Sequence, residues 1–211
     1  MTNAAQSKDV KILIYLGLGS NVGDRAAKLR EAIERIQALG LEIKRESSVY
    51  ETEPVGFRDQ PWFLNQVIET WSFDELISEH EPLGSSDPEA KATIQGVALL
   101  SELLKIEQDM GRERAIDIGP RVIDIDLLLF GDAIIAHTKK KGDEGWSYID
   151  AIDIFVPHPR MHMRRFVLEP LCEIAPDVVH PTLNKTCREL LASLEDDSQV
   201  RLAQELPSKQ R

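Results

Sequence analysis

The chain has 211 residues, 42% hydrophobic and 29% charged, which is the balance of a folded globular protein with room for one sizeable domain. Its net charge of −11 excludes general nucleic-acid binding, so any phosphate site must be a local basic cluster on an acidic body. No stretch reaches the roughly 18 apolar residues of a membrane span, and the polar start Met1 to Lys11 resembles neither a signal core nor a transit peptide.

In chain order, Lys11 to Leu18 is a short, continuous apolar run that reads as a buried strand. Gly19-Ser20-Asn21-Val22-Gly23-Asp24 is a turn signal, and Asp24 is placed to cap the next helix. Over Ala26 to Leu39 the apolar residues Leu29, Ile33, Ile36 and Leu39 recur at helical spacing, with Gly40 as the stop. A second strand is predicted over Leu41 to Thr52, a loop over Glu53 to Pro61 and a third strand over Trp62 to Trp71. Asp74 to His80 has the character of a helix start, but Glu81 to Pro88 reads as a surface insertion. A longer helix, Glu89 to Met110, carries Ile94, Val97, Leu100 and Leu104 on one stripe and ends at Gly111.

Val122 to Phe130 is the fourth strand. Side-chain alternation puts Ile123, Ile125, Leu127 and Leu129 on one face and Asp124 with Asp126 on the other. Asp132 to Phe155 follows as an elaborated hairpin with a solvated tip at Lys139 to Gly145. Val156 to Arg160 is a turn into a short helix, Met161 to Cys172, and Thr186 to Leu194 is another candidate helix. The order strand, helix, strand, strand, helix, strand points to an α+β fold with a ferredoxin-like split βαβ core. Its antiparallel sheet would carry helices mainly on one face, with the inserted hairpin and extra C-terminal helices added. Domain organisation follows: a flexible start (1–10), a single domain (11–194) and a polar C-terminal tail (195–211). Cys172 and Cys187 have no metal-ligand spacing and read as reduced thiols, which places the protein in the cytoplasm.

The chemistry concentrates around the fourth strand. Two acids inside a core-forming strand are costly unless a cation compensates them, and Mg²⁺ suits one or two carboxylates plus phosphate oxygens. A solvated edge strand is the alternative reading. Arg112, Arg114 and Arg121 precede the acids and could bind phosphate bidentately, or form surface salt bridges with Glu113 and Asp117. Glu107, four residues before Gly111, could accept from a nucleotide or simply be solvated. Phe63 and Asn65 share a face and supply what a flat heterocycle needs: stacking area and a donor–acceptor pair. Arg164 and Phe166 repeat that pairing of polar group and aromatic, and His158 stands between two prolines.

Four ordered segments carry a family resemblance: Leu18-Gly19-Ser20-Asn21; Asp59 to Asn65; Gly119-Pro120-Arg121 with Asp124-x-Asp126; and Val156-Pro157-His158 continued by Arg164, Phe166 and Pro170-Leu171. Through them the chain, from about Ile12 to Pro181, is similar to the 6-hydroxymethyl-7,8-dihydropterin pyrophosphokinases of folate biosynthesis. The resemblance implies transfer of pyrophosphate from ATP, as co-substrate, to the pterin hydroxymethyl group, with release of AMP. It implies that Asp124 and Asp126 hold two Mg²⁺, and that Arg112 and Arg121 stabilise the transferring group. Arg114, His158, Arg164, Glu107 and the Leu127 backbone would contact ATP. Phe63 and Phe166 would sandwich the pterin, with Asn65 and the backbone around Thr52, Pro54 and Val55 reading its edge. Gly19, Ser20 and Asn21 would begin a mobile loop over the site.

The chain departs from the family where Asp117-Ile118 replaces a common Arg-Trp, where Leu104 replaces a Gln found in some members, and where Pro159 replaces an aromatic. Two further readings stand beside the enzyme: a relative that binds nucleotide or pterin with weakened transfer, and one domain of a multifunctional folate-pathway polypeptide. The expected partners are small-molecule substrates, with no nucleic acid and no membrane. Neighbouring folate-pathway enzymes are a further expectation, and a monomer is the expected state.

Overall fold

The structure is a computed structural model and describes residues 11–72, 87–112, 119–137 and 154–204. Its elements are β1 (Ile12–Ser20), α1 (Arg25–Ala38), β2 (Glu42–Glu46), β3 (Tyr50–Thr52), β4 (Phe63–Ser72), α2 (Pro88–Asp109), β5 (Asp124–Phe130), β6 (Ile135–His137), β7 (Ile154–Val156), α3 (Arg165–Ile174), β8 (Val179–His180), β9 (Lys185–Thr186), α4 (Cys187–Ala192) and β10 (Val200–Leu202). The predicted helix start at 74–80, most of the 81–88 insertion, Arg114, Asp117, Ile118 and the hairpin tip lie outside the described residues.

The helix ends follow local chemistry. Asp24 accepts from the Ala27 N–H at 2.9 Å and caps α1, while Gly40 takes the positive φ, +88°, that lets the chain leave it. Pro88, expected within the insertion, instead opens α2: its missing N–H is no loss in a first turn, and Asp87 before it accepts from Glu89 N.

Six strands make one antiparallel sheet in the order β10-β3-β4-β1-β5, with β2 also paired to β4. The predicted single strand over 41–52 is two, β2 and β3, separated at Ser47 to Val49. There the Ser47 hydroxyl accepts from Val67 N and its N–H donates to Val67 O, so the break is bonded to β4 rather than frayed. β10 lies in the segment read as a polar tail and adds to the sheet edge beside β3. The base of the predicted hairpin is present as β6 and β7, paired Ile135 to Val156.

Two apolar layers sandwich the sheet. On one face Ile14, Leu16, Leu18, Ile68, Ile125 and Leu127 pack with Leu29 and Ile36 of α1 and Leu99 and Leu103 of α2. On the other, Tyr15, Val67 and Leu129 pack with Leu168 and Leu171 of α3 and Leu190 of α4. The expectation of helices mainly on one face is corrected to helices on both, because α3 and α4 cover the part of the second face that carries these apolar residues. Leu129 is corrected too. A bulge in β5 slips the register against β1, so that Tyr15 pairs with Leu129 but Leu16 with Leu127. The extra residue, Leu128, breaks the alternation, sending Leu129 to the α3 face and Phe130 to the α1–α2 face. Gly96 of α2 permits close approach to β6: a Cβ there would come within 2.3 Å of Ile135 Cδ1.

Leu103 has no exposed surface and Leu202 is 62% exposed, so Leu103→Ala should cost about 2–5 kcal/mol in urea unfolding and Leu202→Ala about 0.5 kcal/mol or less. Equal losses would contradict the core assigned to α2.

Candidate active site

Asp124 and Asp126 stand at the start of β5 on the face away from α1 and α2, opposite Gly19 and Gly17 of β1. Those glycines leave bare backbone as a floor. A Cβ on Gly19 would lie 2.6 Å from the Asn65 side-chain oxygen, so nothing larger fits beneath it. Above this floor is a cavity of about 190 Å³, smaller than the roughly 300–1,000 Å³ of drug-sized sites.

Phe63 and Phe166 both line it, from β4 and α3, and so do Thr52, Val55 and Asn65. Asn65 Nδ2 donates to Thr52 Oγ1 at 2.6 Å, which fixes the amide at the cavity wall. Asp124, Asp126, Arg121 and Arg164 line the same cavity, so the aromatic and charged halves of the prediction are brought together. Arg164 also lies over Phe166, 5.3 Å from its ring centre.

Behind the cavity is a charged ladder. Asp124 Oδ1 pairs with Arg112 at 2.7 Å, and its other oxygen pairs with Arg121. Arg112 in turn pairs with Glu107. Glu107 is 1% exposed, and its Oε1 accepts from the Ile125 N–H at 2.6 Å. Glu107 thus holds Arg112 and the start of β5 in register from a buried position. Burial pushes its carboxyl up to about 7, against the pull of Arg112.

Burial and the charge of Asp124 push the Asp126 carboxyl above its ordinary value, against the pull of Arg164, Arg121 and Arg112. His158 Nε2 approaches Asp126 at 3.9 Å, but burial, with Arg164 and Arg160 nearby, drives the imidazole down to about 4 and keeps it neutral at working pH. His158 and Arg112 sit beside the cavity rather than in its lining, and Pro54 is buried in the loop that borders it. The Leu127 side chain lies in the α1–α2 core, leaving only its backbone toward a ligand.

Gly19 and Ser20, predicted to begin a mobile loop, instead close β1, and Asn21 follows directly. The Ser20 hydroxyl donates to Val122 O at 2.6 Å. Asn21 exchanges bonds with Arg121 and donates to Gln60 and Pro61. The segment therefore clamps the Arg121 turn to the loop before β4. Sequence reasoning passed over Glu53, Gln60 and Arg160, which also line the cavity. Arg160 was legible, since it follows His158 by two residues and repeats the cationic character of Arg164.

Among the described residues no three or more His, Cys, Asp or Glu are grouped to hold a metal by themselves. Two carboxylates still fit Mg²⁺, which completes its shell with phosphate oxygens and water.

The chain matches the model of the 7,8-dihydro-6-hydroxymethylpterin-pyrophosphokinase family over residues 15–81 and 88–176. It is 36% identical to the 2-amino-4-hydroxy-6-hydroxymethyldihydropteridine pyrophosphokinase of Aquifex aeolicus, over 83% of this chain and 88% of that protein. It is 35% identical to the folic acid synthesis protein fol1 of Pneumocystis carinii, over 80% of this chain but 18% of that longer protein. The fold is similar to that of the wild-type HPPK-DHPS of Plasmodium falciparum in complex with SDX-DHP, with a TM-score of 0.60 at 15% identity, over 88% of this chain and 45% of that one.

The raised pKa of Glu107 has a measurable consequence. Below its ordinary value near 4.5 the group is neutral folded or unfolded; between 4.5 and about 7 only the unfolded chain ionises it freely. Wild-type stability should therefore fall relative to Glu107→Gln as pH rises across that window, then run parallel above it. Parallel unfolding curves throughout would show that Glu107 is ionised in the fold.

Proposed function

The chain belongs to the 7,8-dihydro-6-hydroxymethylpterin-pyrophosphokinase family, and from that membership we infer that it transfers pyrophosphate from ATP to 6-hydroxymethyl-7,8-dihydropterin in folate synthesis. The observation that carries the residue assignment is the joining of aromatic, amide, carboxylate and guanidinium groups in one cavity. The strand order β5-β1-β4-β3, with α1 after β1 and α2 after β4, supports reading the scaffold as a ferredoxin-like split βαβ core.

In this assignment Phe63 and Phe166 sandwich the pterin, while Asn65, Thr52 and the nearby backbone at Val55 take its hydrogen-bonding edge. Asp124 and Asp126 line the same cavity as the two rings, which supports a pose with the hydroxymethyl group toward the phosphate side. Arg121, Arg164 and Arg160 at the cavity, and Arg112 behind it, take the polyphosphate, with Arg114 assigned there from its place in the sequence. His158, neutral, offers a hydrogen bond without adding charge. Arg112 and Arg121 are paired to Asp124 without ligand, and phosphate oxygens compete for the same guanidinium faces. Their transfer to phosphate leaves Asp124 and Asp126 to hold Mg²⁺, two ions by the family pattern. Mg²⁺ held by Asp124 and Asp126 would supply neutralisation of phosphate charge and a lowered pKa of the pterin hydroxyl.

The pterin hydroxyl attacks the β-phosphorus and AMP leaves, a transfer that asks the protein for positioning and electrostatic stabilisation rather than covalent chemistry. Val55 and Phe57 are exposed apolar residues on the loop at the cavity mouth, and their closing over the ligands would keep water from the reacting phosphorus. The length of the Pneumocystis relative is compatible with neighbouring folate-pathway activities as partners of this chain.

With ATP, Mg²⁺ and the hydroxymethyl pterin, AMP should appear in step with pterin diphosphate; ADP, or AMP without pterin product, would contradict the reading. Asp126→Ala should lower turnover by about 100-fold or more with little change in Tm, and wild-type turnover would remove Asp126 from the site. Phe166→Ala should weaken pterin binding by about 10-fold while ATP binding changes less; equal losses would count against the sandwich.

A further inference from the structure

Residues 196–203 touch both walls of the slot between the aromatic rings. On one side, Asp196 Oδ2 accepts from the Arg165 N–H at 2.7 Å, and the Asp196 carbonyl accepts from Arg165 Nε at 2.8 Å. Arg165 opens α3 between Arg164 and Phe166, and the residue at the N-cap position, Arg164, makes no side-chain cap. Asp196 therefore supplies from a distant part of the chain the acceptor and negative charge that the start of α3 lacks. Burial raises its carboxyl pKa, but hydrogen bonds from Arg165 and Ser198 outweigh it and hold the group below the usual carboxylate range.

On the other side, Gln199 O accepts from the Glu53 N–H at 3.0 Å, Val200 pairs with Thr52, and Ala203 N donates to Val49 O at 2.9 Å. Arg201 pairs with Glu51 at 2.8 Å and lies 4.7 Å from the ring centre of Trp62, the neighbour of Phe63. Arg25 completes this corner, pairing with Glu51 at 3.0 Å and donating to Trp62 O at 2.6 Å. Thr52 and Glu53 line the slot themselves. The helix that presents Phe166 and the strands that present Thr52 and Phe63 are thus tied by one short segment.

We propose that residues 196–203 form a strap that fixes the spacing of Phe63 and Phe166, with Asp196 and Arg201 as positioning residues for the pterin. Stacking on two faces of a flat ring tolerates little change in wall separation, and misplacement by about 1 Å is enough to degrade a site. The proposal rests on the pterin assignment above.

The test is steady-state kinetics on the full chain, with equilibrium pterin binding measured alongside. Asp196→Ala and Arg201→Ala should raise the pterin KM about 3- to 30-fold, with the ATP KM moved less. Asp196→Asn, which keeps an oxygen for the Arg165 N–H, should restore most of the loss. A lowered Tm with pterin KM unchanged, or equal rises in both KM values, would reduce the strap to a structural brace and overturn the proposal. Arg201 is exposed, so its variant gives an answer even if Asp196→Ala fails to fold. Wild-type protein that binds no pterin would overturn the functional assignment and the strap with it, an outcome distinct from an active wild type with indifferent variants.

Discussion

Asp124 and Asp126 can occupy a core-forming strand because guanidinium groups meet one of them and a cation is left to be supplied to the other. Asp124 is held between Arg112 and Arg121, and Arg112 is itself fixed by the buried Glu107, whose other role is to bond the backbone of β5. Asp126 faces His158 at 3.9 Å, and burial with the charge of Asp124 raises its proton affinity against the pull of Arg164, Arg121 and Arg112. The pairings of Arg112 and Arg121 with Asp124 are ones that a triphosphate and its metal can exchange. A ladder of this kind is weak as a source of stability, since desolvation offsets most of the attraction, but it places charge with precision for binding.

The fold serves that ladder by leaving one region of the sheet bare. α3 and α4 cover the face only where Tyr15, Val67 and Leu129 project from it, while Gly17 and Gly19 floor the rest. The bulge at Leu128 separates these two regions within a single strand: before it β5 alternates acid and core residue, and after it both faces are apolar. The Asn21 clamp then ties the Arg121 turn to the loop that ends at Phe63, so the phosphate side and the ring side share one support.

Much of this is legible in the residues themselves. The caps at Asp24 and Gly40 and the shared face of Phe63 with Asn65 depend on local chemistry and period, and the structure has them where the sequence puts them; α2 is a helix as expected, but its core stripe runs through Leu99, Leu103 and Ile106, with the predicted Val97 and Leu100 only partly buried. What escapes a sequence reading is set by partners far along the chain. Val200 to Leu202 is too short, within a polar stretch, to announce a strand, and it is one because β3 offers an edge to pair with. Glu107 looks like any exposed helical acid until β5 is packed over it, and Gly19-Ser20-Asn21 looks like a turn until Val122, Arg121 and Gln60 take its hydrogen bonds. The C-terminal helices themselves are legible, but their packing on the far face of the sheet is not, because strict alternation in β5 hides the turn of Leu129 to that face.

The most direct measurement is a crystal structure with Mg²⁺ and a non-hydrolysable ATP analogue. The charge-exchange account predicts metal on Asp124 and Asp126, with Arg112 and Arg121 moved from Asp124 to phosphate oxygens. Phosphates bound elsewhere, with both arginines still paired to Asp124 and neither acid on the metal, would contradict it.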